Sequence, residues 1–285
     1  MTAGTDAAPA PEGRGTGPTE GLYVYAVTRG APDELGAGID GAPLERVTAH
    51  GLTAVVHRHG ATPYSGPDDD VRRWVVEHSD VVDRLWQAAG AVLPMSFNVI
   101  VAGTGDEPAP ARLAAWLAEH AERLDGRLDQ LAGRGELQVE IGIDQHEAGA
   151  GDARLDALRA ELESRPPGVR RLLTKRLEQL EREVTDALAD ELYPDLRRRL
   201  ATTAEEVTET RRAHPPAGVV PVLAVALLVP LDGVDRVGHE LARIRDEQPA
   251  ARIRFVGPWP PFSFAEVPPS PQDAARDGGR AQAGA

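Results

Sequence analysis

Three histidines lie at spacings that occur in metal sites and in acid–base catalytic sites. His57 and His59 are two residues apart in LTAVVHRH, so on a strand both side chains share one face, as two metal ligands do. His78 lies between Glu77 and Asp80, which is a pattern for acid–base chemistry. No third ligand lies near His57 in sequence, however, and His78 falls on the apolar stripe of a helix. Structural histidines are therefore favoured, with a metal-dependent or acid–base enzyme using His57/His59 or His78 as the alternative.

Several catalytic signatures are absent from the chain. It contains no G-x-S-x-G, H-E-x-x-H or G-x-x-x-x-G-K-[ST], and Lys175 is its only lysine. It contains no cysteine, which excludes a disulfide framework, a thiolate metal site and a cysteine nucleophile. We predict a binding or assembly protein that is not an enzyme and that uses neither a cofactor nor a metal.

The charge and the apolar runs limit the classes of partner. The chain has 45 acidic and 31 basic residues and a net charge of −14, which disfavours nucleic acid and anionic lipid. The longest apolar run, Val219 to Leu231, is shorter than a membrane span and is interrupted by Pro221 and Pro230. No signal peptide is visible. We predict a cytoplasmic protein with neither nucleic acid nor membrane as partner.

The order of predicted elements gives an α+β fold. Residues 1–20 and 268–285 lack apolar periodicity and are predicted to be disordered tails. Between them, hydrophobic spacing predicts strands and helices in alternation. The predicted strands are Gly21–Thr28, Leu44–Val47, Leu52–His59, Ala91–Val101, Glu136–Asp144, Val219–Pro230 and Arg252–Val256. The predicted helices are Val71–Ala89, Ala109–Leu131, a long region from Ala153 to Ala213, and Val234–Glu247. Pro166 and Pro167 break the long region, and Pro194 is predicted to kink or end it.

The last five elements predict the architecture of the C-terminal half. Their order is β-α-β-α-β, which is a ferredoxin-like half-sandwich lacking one strand. We therefore predict two α+β domains, residues 21–145 and 146–267, the second ferredoxin-like with a long helical insertion.

Three stretches of the chain together resemble one protein family. GLYVYAV begins at Gly21, HSDVVDRLWQAAGAVLPMSFNVIV begins at His78, and GPWPPFSF begins at Gly257. In this order they resemble the gas vesicle protein F/L family. Its members open with a strand of the form YxYxV, carry an H-x-x-V…V-L-P-x-R-F-G-T block and close with G-P-W-P-P-Y-S-F.

The resemblance can be carried over position by position. Ser96, Asn98 and Val99 depart from the family pattern, which has Arg, Gly and Thr there, and this puts in doubt a function that needs the arginine charge. We interpret the matching positions as structural or partner-binding. They are His78, Val81, Val92, Leu93, Pro94, Phe97, Gly257, Pro258, Trp259, Pro260, Pro261, Phe262, Ser263 and Phe264, with Phe262 in place of the family's tyrosine.

The resemblance implies a role in building gas vesicles. It implies an accessory or minor structural protein that binds the small hydrophobic shell protein and limits its aggregation during vesicle formation. It also implies other gas vesicle accessory proteins as partners and a location in the cytoplasm or at the vesicle. A scaffold built into the shell is a further alternative to a transient chaperone.

The closing stretch admits two interpretations of its own. Pro258 to Pro261 form a P-x-x-P pattern, which is typical of polyproline ligands. The stretch directly continues an apolar strand, however, and exposing its three aromatic rings would be costly. We predict that the chain leaves the sheet here and forms a rigid clasp, with Trp259 and Phe262 packed against the body. On that basis, replacing Trp259 by alanine would cost about 3–5 kcal/mol.

Overall fold

A computed structural model describes residues 20–210 and 216–266. The two tails predicted to be disordered lie outside these residues, except Glu20, which begins the first strand. Within the described ranges the chain is a mixture of helices and sheets, which confirms the α+β class.

The first half of the chain forms an antiparallel sheet covered on both faces. Its order is β2-β3-β1, and two short strands, β4 and β5, pair with the other side of β1. The strands are β1 (Glu20–Thr28), β2 (Glu45–Ala49), β3 (Leu52–Gly60), β4 (Leu93–Pro94) and β5 (Ile100–Ala102). The helices are α1 (Asp68–Ala89), α2 (Ala109–Glu119) and α3 (Ala121–Leu131).

Alternation along β1 explains why both faces are apolar. Tyr23 and Tyr25 pack in one cluster with α1 residues such as Val81, whereas Leu22 and Val24 pack in another with α2 and α3. A strand with two covered faces must be apolar at nearly every position, as GLYVYAVT is. The sheet therefore separates a face that contacts α1 from a face that contacts α2 and α3.

The second half forms a four-stranded antiparallel sheet of order β7-β8-β6-β9. Its strands are β6 (Arg134–Asp144), β7 (Glu206–Glu209), β8 (Val219–Pro230) and β9 (Ala251–Trp259). Its helices are α4 (Gln145–Ala148), α5 (Ala153–Ser164), α6 (Pro167–Ala201) and α7 (Val234–Glu247). The short β7 supplies the missing strand, so the chain order becomes strand, helices, strand, strand, helix, strand, as in the ferredoxin-like motif.

The two sheets meet in one apolar cluster. Ala226 and Leu228 of β8 join Leu124 and Leu128 of α3 in the cluster that also contains Leu22. The other face of the second sheet packs on α6 and α7. The division of the chain into two domains near residue 145 stays a prediction.

Three predicted elements differ from the observed ones. Ala91–Val101 is not one strand, because a turn separates β4 from β5, and Asn98 in it has φ 71°. The predicted helix Ala109–Leu131 breaks at His120, whose φ and ψ are −105° and 11°.

The long helix ends at Ala201 instead of Ala213 and runs through Pro194. A proline costs about 3 kcal/mol in a helix interior, and the burial of Leu196 and Leu200 beyond it offsets that cost.

Candidate functional site

Side chains from all three motif stretches meet on the buried side of α1. His78 is 2% exposed, and its ring centroid lies 5.7 Å from that of Tyr23 on β1. The ring centroids of Phe97 and Phe262 lie 6.1 Å and 6.3 Å from that of His78. We give the name motif cluster to seven of the rings that contact one another here. Its members are Tyr23, Tyr25, His57, Tyr64, His78, Phe97 and Phe262.

Hydrogen bonds fix the proton positions around His78. The Met95 carbonyl oxygen can only accept, so His78 Nε2 carries a hydrogen and donates it over 3.0 Å. His78 Nδ1 is then an acceptor, and the Tyr23 hydroxyl donates to it over 2.9 Å. The Tyr23 hydroxyl in turn accepts from the backbone N–H of Asn98 at 3.2 Å. His78 is thus a satisfied core histidine, as its position on the apolar stripe predicts.

A second chain of hydrogen bonds orders His57. The Tyr25 hydroxyl accepts from the backbone N–H of Ile39 at 2.8 Å, so its own hydrogen points to His57 Nδ1, 2.9 Å away. His57 Nε2 then donates to the Tyr64 hydroxyl at 3.1 Å. Both ring nitrogens of His57 are therefore engaged in packing the fold.

Burial keeps the histidines and tyrosines of the motif cluster uncharged. Desolvation lowers the pKa of His57 to about 4 and the pKa of His78 to about 4. Desolvation also raises the pKa of Tyr64 to about 12 and raises the pKa of Tyr23 and of Tyr25. An acid–base catalyst works best when its pKa lies near the operating pH. The cluster has the electrostatics of a polar core that excludes water.

The alternative in which His57 and His59 are metal ligands gains no support from their contacts. Their ring centroids lie 5.7 Å apart, but the Nε2 atom of His59 lies 3.0 Å from the Thr62 carbonyl oxygen and its ring stacks on Tyr64. Within residues 20–210 and 216–266, no group of three or more His, Cys, Asp or Glu side chains is placed to hold a metal ion. Within the same ranges, no helix combines the length and apolar character needed to cross a bilayer.

Asn98 has a structural reason to replace the glycine expected at its position. Its φ of 71° lies in the left-handed region, where Gly and then Asn are best tolerated. Its side chain accepts from the backbone N–H of Tyr64 at 2.9 Å and donates to the Tyr64 carbonyl at 3.0 Å. Ser96 is exposed, so the arginine expected there would also lie at the surface. The replacement of the expected glycine by Asn98 therefore keeps the turn that carries Phe97.

We expect Asn98→Ala to destabilise the protein by about 2–3 kcal/mol, because it loses two hydrogen bonds and strains the backbone. Asn98→Gly loses the same bonds without the strain and should cost about 1–2 kcal/mol. Denaturant unfolding of both variants checks this order. Equal losses would show that the positive φ contributes nothing.

The closing stretch remains in the sheet longer than predicted. β9 pairs with β6 as far as Trp259, which lies opposite Glu136. Gly257 has φ 120°, and a Cβ there would lie 2.6 Å from the Glu136 carbonyl oxygen, so only glycine fits. The Gly257–Pro258 peptide bond is cis. Pro258 is tolerated because β9 is an edge strand with a register shift at this point.

The predicted packing of Trp259 is wrong, and that of Phe262 is only partial. Trp259 is 42% exposed and Phe262 is 38% exposed, although the Phe262 ring still contacts His78. The buried residues are Pro260, Pro261 and Phe264. Phe264, which is 2% exposed, belongs to the apolar cluster that joins the two sheets. The stretch is therefore a clasp, but a different ring anchors it.

Two charged residues that sequence reasoning missed hold this clasp. Glu136 is 1% exposed, and its carboxylate accepts from the backbone N–H of Ser263 at 2.7 Å and from the Ser263 hydroxyl at 2.8 Å. Arg127 of α3 donates from Nε to the Phe264 carbonyl at 2.8 Å and pairs with both Glu206 carboxylate oxygens at 2.9 Å. Neither stood out, because Glu136 begins a predicted strand with acidic residues at every fourth position and Arg127 lies in a charged helix.

One further glycine motif also proves structural. GAGIDG, from Gly36 to Gly41, has the G-x-G-x-x-G spacing of dinucleotide-binding loops, but its last three residues form a 3-10 turn and no α-helix follows it directly. A Cβ on Gly38 would lie 2.4 Å from the Tyr25 hydroxyl oxygen. The glycine therefore permits the close approach by which this loop caps the motif cluster.

An apolar edge of the second sheet lies next to the clasp. β9 is the last strand of its sheet, and no described strand pairs with its outer edge. Phe255 is 37% exposed and Trp259 is 42% exposed. The other edge strand of this sheet, β7, reads EVTE, and β2 of the first sheet reads ERVTA, so both carry charges that discourage pairing. We call residues 255–259 the β9 edge.

Comparisons with known proteins agree over nearly all the described residues. A family model described as "Gas vesicle synthesis protein GvpL/GvpF" matches residues 21–266. Gas vesicle protein L1 of Halobacterium salinarum is 32% identical, over 92% of this chain and 98% of the relative. Gas vesicle protein L2 of that organism is 33% identical, over 87% and 92%. The crystal structure of GvpF from an Anabaena species has a TM-score of 0.63 at 19% identity, over 88% of this chain and 98% of that chain.

Proposed function

The chain belongs to the gas vesicle synthesis protein GvpL/GvpF family, and from that premise we propose that it binds the hydrophobic shell protein and limits its aggregation while vesicles form. Membership of this family means that the protein takes part in gas vesicle formation. The proposal that its partner is the shell protein is supported by the β9 edge. We further propose that the protein works without catalysis, in the cytoplasm and at the vesicle, and that other gas vesicle proteins are also its partners.

The β9 edge has the properties that such a partner would need. A strand at the edge of a sheet offers unpaired backbone N–H and C=O groups that another extended segment can join. Arg252 and Arg254 protect the first half of β9 with charge, whereas residues 255–259 carry none. Pro258 has no N–H, so an added strand would pair with the backbone groups of the residues around it. Phe255 lies opposite Val139 and Trp259 lies opposite Glu136, so the two exposed rings flank the free backbone groups on opposite faces of the sheet. An aggregation-prone strand of the shell protein would be covered there by backbone pairing and by ring contacts.

The net charge suits the same role. A complex between an apolar subunit and a carrier stays dispersed when the carrier repels its own copies, and a net charge of −14 supplies that repulsion. The β9 edge is therefore an apolar strip on an acidic body.

We expect the double variant Phe255→Lys/Trp259→Lys to fold and to lose its effect on the shell protein. Charge on an edge strand blocks the addition of a further strand. Shell protein is diluted out of denaturant with or without the variant, and light scattering and the fraction left in the supernatant are measured. The wild-type protein should keep the shell protein soluble at equimolar concentration, and the variant should leave it to aggregate as it does alone.

A matched control separates this surface from a general change in charge. Val75→Lys/Val76→Lys adds the same charge at two partly exposed apolar residues of α1, which are 38% and 57% exposed. Its protective effect should equal that of the wild type, and circular dichroism should show that both double variants are folded. Protection that survives in Phe255→Lys/Trp259→Lys would overturn the assignment to the β9 edge, and a wild-type protein without protection would overturn the proposed function.

A further inference from the structure

The tip of the helical hairpin formed by α5 and α6 carries exposed apolar residues. Leu155, Leu158 and Leu173 are buried where the two helices pack together. At the start of α6, Val169 is 44% exposed and Leu172 is 71% exposed. Because residues three apart share one face of a helix, these two side chains form a single exposed apolar spot.

The same tip is basic, although the protein is strongly acidic. Residues 165–176 read RPPGVRRLLTKR, which includes five basic residues, no acidic residue and the only lysine of the chain. Arg165 pairs with Glu161. Arg171, Lys175 and Arg176 form no ion pair with any residue in the described part of the chain. Three positive charges thus surround the exposed Leu172 without a described counter-charge.

The position of one of these charges in the helix is slightly unfavourable for the isolated protein. The N-terminal end of a helix carries a partial positive charge, which favours acidic residues and disfavours basic ones. Arg170 offsets this because it donates to the carbonyls of Glu163 and Arg165 at the C-terminal end of α5, where a positive charge is favourable. Arg171 also lies near the start of α6, and no acidic residue lies in the first turn, so an anionic partner would offset a small cost at Arg171.

A groove continues from the apolar spot between the two helices. Its volume is about 490 Å³, and Ala157, Leu158, Gln179 and Leu180 form its uncharged lining. Its charged lining residues are Arg154, Glu161, Arg176 and Glu183, so the carboxylates of an acidic ligand would have to lie at the basic tip and outside the groove. Arg176 lies one helical turn after Leu172, so the spot and the groove share one stripe of α6. An amphipathic helix fits a groove of this kind through its apolar side chains at spacings of three and four.

We propose that the hairpin tip, residues 165–176, docks an acidic amphipathic helix of a partner protein. The apolar face of that helix covers Val169 and Leu172, and its carboxylates pair with Arg171, Lys175 and Arg176. A short acidic helix matches the small size of the basic cluster, whereas a long polyanion or a membrane surface would also meet the acidic remainder of the protein. This surface is separate from the β9 edge, so the inference goes beyond the binding of the shell protein.

The probe is a labelled three-heptad helical peptide with leucine along one face and glutamate elsewhere, and its binding is followed by fluorescence anisotropy. Lys175→Glu and Leu172→Ser should each weaken binding about tenfold or more, because one removes the charge pairing and the other removes the apolar contact. Raising the salt concentration to about 0.5 M should weaken the binding to wild type and have less effect on Lys175→Glu.

Matched variants control for charge and for apolar surface. Arg182→Glu makes the same charge change on an exposed side of α6 outside the tip, and Val76→Ser removes an exposed valine from α1. Both should bind the peptide as the wild type does, and all four variants should keep the protection of the shell protein. Equal weakening by Arg182→Glu, or no binding of the peptide to wild type, would overturn the proposal. Binding to anionic lipid vesicles or to a DNA duplex in place of the peptide would also overturn it.

Discussion

Replacing Phe264 by alanine is expected to lower the free energy of unfolding by about 3–5 kcal/mol, as for other fully buried phenylalanines. Phe264 is 2% exposed and packs in the cluster that contains Leu22 of β1, Leu128 of α3 and Leu228 of β8. Truncation therefore leaves a cavity where three parts of the chain meet. Arg127 binds the backbone carbonyl of residue 264, which the variant keeps. The clasp therefore loses the packing of the ring but retains this hydrogen bond.

The matched control for this prediction lies two residues earlier in the same motif. Phe262 is 38% exposed, so Phe262→Ala should cost only roughly 1 kcal/mol from lost apolar burial. Urea unfolding of both variants, monitored by circular dichroism, measures the difference. A cost at Phe262 as large as that at Phe264 would mean that the clasp packs through the first ring and not the second.

The exposure of Trp259 lowers the loss of stability that the sequence predicts for Trp259→Ala. A loss of about 3–5 kcal/mol for Trp259→Ala assumed a buried ring. Trp259 is 42% exposed on an edge strand, so the cost should be closer to 1 kcal/mol. The sequence alone gives no reason to choose among three aromatic residues in GPWPPFSF. The choice depends on the register of β9 against β6 and on the turn at Phe262–Phe264, which are both tertiary features.

Elements with a strong apolar period were predictable from the sequence. The helix predicted for Val71–Ala89 is α1, Asp68–Ala89, and Gly90 in the left-handed conformation ends it. The strand predicted for Val219–Pro230 has the observed bounds. In these segments the local pattern and the tertiary burial agree, so the pattern is sufficient.

Elements whose limits depend on distant contacts were not predictable. The turn between β4 and β5 forms where Asn98 binds the backbone of Tyr64, 34 residues away in sequence. β7 is only four residues long and largely polar, and it exists because it pairs with β8. Glu136 is buried because Ser263 donates two hydrogen bonds to it across 127 residues. No local window contains these interactions.

The motif cluster shows what the resemblance adds to the residues themselves. His78, Phe97 and Phe262 lie in two separate motifs, and their spacing does not reveal that their rings touch. Family motifs that meet in space are consistent with a shared structural constraint. The roles of these positions in partner binding stay a prediction, because the cluster itself is mostly buried and the exposed surface next to it is the β9 edge.

Lowering the pH from about 7.5 to 5 is expected to remove about 4 kcal/mol of stability through His57 and His78, which are 1% and 2% exposed. Burial lowers the pKa of each of these two histidines to about 4, below the ordinary value of 6.5. Between these values the unfolded chain binds a proton that the folded protein does not. Their contribution is therefore fully present above pH 6.5 and is lost as the pH falls towards 4, at about 2 kcal/mol per histidine by pH 5.

Single variants test whether these two residues cause the loss. In His57→Gln the difference in unfolding free energy between the two pH values should fall by about half, to about 2 kcal/mol, even if the variant is less stable at both. His239→Gln changes an exposed histidine of α7 and should keep the full difference. The Met95 carbonyl accepts from His78 Nε2, and the Tyr23 hydroxyl donates to His78 Nδ1. A protonated His78 donates from both nitrogens, so the Tyr23 hydroxyl must turn its own hydrogen away and loses the partner to which it donates. If His57→Gln retains the full difference, carboxylates elsewhere control the acid sensitivity and the neutral cluster does not.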